Sequence, residues 1–103
     1  MAVCESIRRL EERELAVRLE ALPSWRFERE RQAIHRRIAR ADFIETFGLM
    51  TEIAIAAEKR DHHPEWCNVY NVLDVWLTTH DVGGVSERDL ELAVIIDALA
   101  QED

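Results

Sequence analysis

The amino-acid sequence predicts an α+β fold, in which helices pack on one face of a four-stranded antiparallel sheet in the order α-β-β-α-β-β-α. Apolar residues recur at helical spacing in three segments, and apolar and polar residues alternate with the period of a strand between those segments. Turn residues separate adjacent runs. Strands joined by short turns form antiparallel sheets, and helices then cover one face of the sheet.

The length and composition are those of one globular domain. At 103 residues, with 48% hydrophobic and 33% charged side chains, the chain can form one core but leaves much of its surface exposed. We therefore expect a single domain over residues 1–103, with residues 1–9 loosely held. We also expect self-association into a homodimer or homotetramer.

Charge and cysteine content exclude several classes of protein. The net charge of -8 argues against a large phosphate-binding surface, so no direct nucleic-acid partner is expected. No segment has the apolar run of a signal peptide or a membrane span. The two cysteines, Cys4 and Cys67, lie in no disulfide or metal-binding pattern. These features favour a soluble cytoplasmic protein that does not contact membranes.

The first part of the chain is predicted to form a helix followed by a hairpin. Leucines recur at helical spacing between residues 10 and 22, where Pro23 closes the segment. Short alternating patterns over residues 25–28 and 33–38 then predict two strands.

The segment Phe43–Glu58 predicts the second helix. Asp42 stands directly before it and is expected to cap its first turn. The apolar residues of this segment are expected to form one stripe, which consists of Phe43, Phe47, Met50, Ile53, Ala54 and Ala57.

Alternation over residues 69–79 predicts the second pair of strands, or one long bent strand. The side chains expected to face the core are Val69, Leu73, Val75 and Leu77. Gly83 and Gly84 end the pattern.

The last helix is predicted over Glu87–Ala100. Ser86 and Asp89 have the spacing of a capping box at its start, with Asp in place of the usual Glu. Its apolar arc is wider than one sheet face needs, so we expect part of it to meet another subunit.

Three of the four histidines lie in two short segments beside carboxylates. His62 and His63 follow Asp61, and His80 precedes Asp81. The imidazole pKa lies near neutrality, which makes histidine the usual group for moving protons at physiological pH. The pattern therefore predicts an acid-base site.

The sequence resembles the pterin-4a-carbinolamine dehydratase family, as a bacterial-type member. The residues that carry the resemblance are Glu58, His62-His63-Pro64, Tyr70, His80 and Asp89. The likeness continues over most of the chain, at Trp25, Ala33-Ile34-His35, Asp42-Phe43, Phe47-Gly48, Met50-Thr51 and Ser86-Glu87-Arg88-Asp89.

The resemblance implies a hydro-lyase that converts 4a-hydroxytetrahydrobiopterin to quinonoid dihydropterin and water. This reaction recycles the cofactor of aromatic amino-acid hydroxylases, so a functional link to a hydroxylase is also implied. Neither a metal nor a cofactor takes part in the family's reaction. The implied pterin-contacting residues are Asp61, His62, His63, Thr78, Thr79, His80 and Asp81, and the implied supporting residues are Glu58, Arg88 and Asp89.

The expected mechanism is general acid catalysis. We expect His62 and His80 to flank the pterin, each able to protonate the 4a-oxygen. His63 is expected to hold the substrate ring or the geometry of the site. A carboxylate that fixes an imidazole tautomer is expected among Asp61, Asp81 and Asp89.

Three alternatives stay open at the level of sequence. A zinc site at His62 and His80 would need three or four converging ligands, and no HxxxH spacing is present. A protein-interaction module would use the apolar helix surfaces, as animal members of the family do. A divergent paralogue in molybdopterin-related metabolism would keep the site for another substrate.

Overall fold

The computed structural model describes residues 7–101 and contains one four-stranded sheet with three α-helices. The elements are α1 (Glu12–Leu19), β1 (Arg26–Glu28), β2 (Ala33–Ala39), α2 (Phe43–Arg60), β3 (Glu65–Val69), β4 (Val72–Leu77), a 3-10 helix (His80–Val82) and α3 (Glu87–Ala100). The predicted α+β class and the predicted element order are confirmed. The expectation of one domain over residues 1–103 stays a prediction.

The sheet has the strand order β1-β2-β4-β3, and every neighbouring pair is antiparallel. Ile34 pairs with Leu77 across the central strands, and both side chains are fully buried together with Leu73 and Val75. These residues lie on the face that the helices cover. The expected alternation of β4 is therefore confirmed for its core residues.

The opposite face of the sheet is polar. Asp74 on β4 accepts hydrogen bonds from His35 and Arg37 on β2. Partial burial acts to raise the pKa of Asp74, but these hydrogen bonds outweigh it and hold that pKa below its ordinary value. The polar character of this face explains why the apolar core forms on one side only.

Val69 was expected to face the core, and this expectation is wrong. Its side chain is 68% exposed. The reason is a two-residue turn at Tyr70 and Asn71, in which Tyr70 has a φ of 52°. Val69 pairs directly with Val72, which places it on the face opposite Leu73. The alternation read from the sequence therefore continues through the turn but not on the same face.

The expected apolar stripe of α2 is also partly wrong. Its start is confirmed, because the carboxylate of Asp42 accepts a hydrogen bond from the amide of Glu45 at 2.8 Å. Phe43 and Phe47, however, are 43% and 54% exposed. Ala54 is exposed as well. The buried face is rotated away from them and consists of Thr46, Leu49, Ile53 and Ala57.

The first helix is shorter than the expected segment of residues 10–22. The amide of Leu10 donates to the carbonyl of Val85 at 2.8 Å, which ties this residue to another segment before the helix begins. At the other end, the amide of Leu22 donates to the carbonyl of Leu19 in a tighter turn. Pro23 cannot continue the helix.

The third helix has the predicted bounds and the predicted capping box. Its buried apolar residues include Leu92 and Ile96, whereas Val94 is 55% exposed. The indole nitrogen of Trp25 donates to Asp97 at 2.8 Å and joins this helix to the segment before β1.

Only part of the expectation about residues 1–9 falls on described residues, because 1–6 lie outside them. Arg8 bonds to Glu14 at 2.9 Å, and Arg9 donates to the carbonyl of Gly83 at 3.4 Å. Within residues 7–101, no helix combines the length and the apolar content that crossing a membrane requires.

Candidate active site

The C-terminal end of α2 turns His62 toward the interior. Asp61 follows the last helical residue in the left-handed conformation, with a φ of 53°. The amide of His62 then donates to the carbonyl of Ala57 at 3.1 Å, which closes the helix end. His62 is only 9% exposed as a result.

A buried carboxylate holds the ring of His62. Nε2 of His62 lies 2.6 Å from Oδ1 of Asp89, a residue of α3 with no exposed surface. The other carboxylate oxygen accepts from the hydroxyl of Thr79 at 2.8 Å and from the amide of Ser86 at 2.9 Å. The Thr79 and Ser86 hydroxyls also meet at 2.7 Å. We call these four residues the Asp89 network.

The Asp89 network fixes which part of His62 is available for chemistry. Nε2 is engaged by the carboxylate, whereas Nδ1 has no hydrogen-bond partner in the part of the chain that the structure describes. No buried side-chain nitrogen or oxygen atom lacks a partner in this part of the chain. Nδ1 is therefore the nitrogen with which His62 can meet a substrate.

His80 lies at the same end of the β3–β4 hairpin as His62. Thr79, a member of the Asp89 network, directly precedes it, and its amide and carbonyl pair with Gly84 around the short turn. Nε2 of His80 lies 2.9 Å from Oε2 of Glu65, the first residue of β3. Unlike His62, the side chain of His80 is 79% exposed.

Glu65 is a site residue that the sequence interpretation missed. Its other oxygen accepts from Arg31 at 3.2 Å, and the guanidinium of Arg31 stacks 3.8 Å above the ring of Trp76. The hydrogen bond from His80, reinforced by Arg31, holds the pKa of Glu65 below its ordinary value. Glu65 lies close to His63 in sequence, but only the pairing of β3 with β4 brings it to His80.

The remaining expected site residues lie around these two histidines without joining the Asp89 network. His63 is exposed and bonds to Glu58 at 2.9 Å, so adjacent histidines have opposite environments. The hydroxyl of Thr78 donates to the carbonyl of Gln32 at 2.7 Å. Among residues 7–101, Asp61 and Asp81 make no hydrogen bond to an imidazole.

Of the three carboxylates expected to orient a histidine, it is therefore Asp89 that does so. Arg88 precedes it in the first turn of α3 and is exposed beside His62. No group of three or more His, Cys, Asp or Glu side chains able to hold a metal ion is present in the described ranges.

Comparison with known proteins assigns the family. The family model described as "Pterin 4 alpha carbinolamine dehydratase" matches residues 8–99. The chain belongs to this family. The resemblance read from the sequence is thereby confirmed, and so is the expectation of a dehydratase-family enzyme, a hydro-lyase.

Relatives in this dehydratase family match over nearly their whole length. A Burkholderia multivorans protein, provisionally named pterin-4-alpha-carbinolamine dehydratase, is 52% identical over 91% of this chain and 92% of its own. A Rhizorhabdus wittichii protein with the same provisional name is 50% identical over 93% and 99%. A solved Brucella melitensis structure, titled transcriptional coactivator/pterin dehydratase, is 45% identical with a TM-score of 0.88. It covers 91% of this chain and 100% of its own.

The Asp89 network is expected to stabilise the fold. Asp89→Ala would leave the buried amide of Ser86 and the hydroxyl of Thr79 without their acceptor. The free energy of unfolding should fall by at least about 1–3 kcal/mol, the usual cost of a buried unsatisfied group. Urea unfolding followed by circular dichroism measures the change.

Asp89→Asn is the matched control, because its amide oxygen can still accept from Ser86. We expect it to lose less stability than Asp89→Ala. Equal stability of Asp89→Ala and the unsubstituted protein would contradict a structural role for the network.

Proposed function

We propose that this protein dehydrates a 4a-hydroxytetrahydropterin to the quinonoid dihydropterin, with His62 and His80 as the proton donors. The observation that supports the proposal is the pairing of each of these imidazoles with its own carboxylate at one end of the β3–β4 hairpin. Membership of the dehydratase family supports the reaction class.

The reaction requires one bond to break and one to form. The imidazolium gives its proton to the hydroxyl on carbon 4a, and the carbon–oxygen bond breaks as water leaves. The lone pair of nitrogen 5 forms the new double bond to carbon 4a. Nitrogen 5 then releases its proton, which restores the proton balance. Because hydroxide leaves a carbon slowly, protonation of the oxygen is the step that needs a placed acid.

The two histidines are suited to this step in different ways. His62 is buried and held by Asp89, so its free Nδ1 has a fixed direction. His80 is exposed and held by Glu65, so it can meet the substrate from the solvent side. Two acids in separate positions would allow the enzyme to accept both stereoisomers at carbon 4a.

Other expected site residues have supporting roles in this proposal. The hydroxyl of Thr79 is already bonded within the Asp89 network, which favours a positioning role over contact with the pterin. His63 is held by Glu58 at the surface and can border the bound ring. Contact of the pterin with Asp61, Thr78 and Asp81 stays a prediction from the resemblance.

The physiological setting also stays a prediction. The family resemblance favours recycling of the cofactor of an aromatic amino-acid hydroxylase in the cytoplasm. A role in molybdopterin-related metabolism would use the same fold. Assays with the two substrate classes separate these possibilities.

His62→Ala and His80→Ala are each expected to lower kcat for 4a-hydroxytetrahydropterin by about 10²–10⁴, the usual contribution of a placed general acid. Stopped-flow absorbance of the quinonoid product measures the rate. His35→Gln is the control, since His35 is the one histidine of the sequence outside the two segments. Near-normal turnover in both alanine variants would show that other groups donate the proton.

Glu65→Gln is expected to lower kcat with little change in KM. Glutamine keeps the size of the side chain but removes the charge that pairs with His80 and Arg31. Misplacement of a catalytic group costs up to about 10²-fold, so we expect a decrease between about tenfold and 100-fold. Glu30→Gln, in the turn after β1, is the control. A larger effect of Glu65→Gln on KM than on kcat would instead indicate direct binding of substrate.

We further propose that the chain forms a homo-oligomer through an outer α2 stripe, which consists of Phe43, Ile44, Phe47 and Ile55. All four are exposed and share one side of the helix. A Cβ placed on Gly48, within this surface, would meet no heavy atom within 4 Å, so a second helix has room to approach. A chain of this size gains core area by self-association.

Substitution within the stripe tests this proposal. The double change Ile44→Glu and Phe47→Glu should lower the mass measured by light scattering toward that of a monomer, since charge at an apolar interface is costly. Val17→Glu, at an exposed apolar residue of α1, should leave the mass unchanged. A monomeric mass of the unsubstituted chain would rule the oligomer out. The alternative of a pure interaction module requires an absence of turnover in the dehydratase assay.

A further inference from the structure

A cavity of about 250 Å³ lies beside His62, between the C-terminal end of α2 and the start of α3. We call it the basic cavity. The residues that line it are Lys59, Arg60, His62, Arg88 and Glu91. One wall is therefore the same imidazole to which the proposed reaction assigns proton transfer.

The charge of the basic cavity is opposite to that of the chain. Three cationic side chains face one carboxylate, whereas the whole chain has a net charge of -8. That carboxylate, Glu91, is already bonded to Arg60 at 2.5 Å. Within residues 7–101, Lys59 and Arg88 have no carboxylate in ion-pair distance. Two unneutralised cations from different helices thus share one concave surface.

The proposed dehydration does not need these cations. It moves a proton to a departing oxygen and forms a double bond within the pterin ring, and neither step places an anion near α2. A plain structural role is also lacking, because neither Lys59 nor Arg88 donates a side-chain hydrogen bond to any of residues 7–101. Their arrangement instead matches what an anion requires, because guanidinium and ammonium groups together bind phosphate oxygens.

We propose that the basic cavity binds a phosphate ester on the side chain of the pterin substrate. This inference rests on the proposed function, because it places the pterin ring against His62 and its substituent in the cavity. Lys59 and Arg88 neutralise the phosphate, and Arg60 contributes while it stays paired with Glu91. The protein then selects phosphorylated reduced pterins over uncharged ones.

Calorimetric titration of the full chain with two probes tests the proposal. The probes are 7,8-dihydroneopterin and 7,8-dihydroneopterin monophosphate, which share the ring and differ in the phosphate. At low salt, we expect the phosphorylated compound to bind about tenfold more tightly or better, as charge-assisted hydrogen bonds would produce. High salt should reduce this ratio.

Substitutions locate the effect. The double variant Lys59→Gln and Arg88→Gln should bring the two dissociation constants to within about twofold, since the charge-assisted bonds are removed. The double variant Arg13→Gln and Arg26→Gln changes the net charge equally at exposed positions outside the cavity, and it should retain the preference.

The outcomes separate this inference from the proposed function. Equal binding of both probes by the unsubstituted protein would overturn the phosphate subsite and leave pterin binding intact. A preference that survives in the cavity variant would overturn the assignment to Lys59 and Arg88. If neither probe binds, the proposed function and the subsite are both wrong.

Discussion

The buried carboxylate of Asp89 is the constraint on which the rest of this structure depends. Burial of an unpaired charge is expensive, and Asp89 avoids that cost because all of its contacts are hydrogen-bond donors. Those donors come from the end of α2, the segment after β4 and the start of α3. The same group therefore caps a helix, joins three parts of the chain and sets the direction of His62.

The two histidines of the proposed site reach similar pairs by different routes. The pair of His62 and Asp89 is internal, so packing and the helix cap define its geometry. The pair of His80 and Glu65 lies at the surface, where solvent and side-chain freedom weaken any single ion pair. Its geometry depends on Arg31, which stacks on the indole of Trp76. The polar face of the sheet thus contributes to the site as well as the core does.

The elements that sequence patterns predicted best are those with strong local signals. The bounds of α3 agree because Ser86 and Asp89 form a capping box from residues close in the chain, and Asp42 likewise defines the start of α2. Errors arose where more than one phase fitted the pattern. A turn after Val69 shifts the alternation, and α2 has apolar residues such as Phe47 outside its buried face. Periodicity alone does not say which apolar face meets the sheet.

The sequence by itself determined the chemical groups of the site and the family, because residue types and their spacing are properties of the chain. It identified His62, His80 and Asp89 but left open which of three carboxylates orients an imidazole. The tertiary structure decided that Asp89 does so and that Glu65 serves His80, since these partners are 27 and 15 residues apart. Contacts over such separations follow from strand register and helix packing, which no local pattern contains.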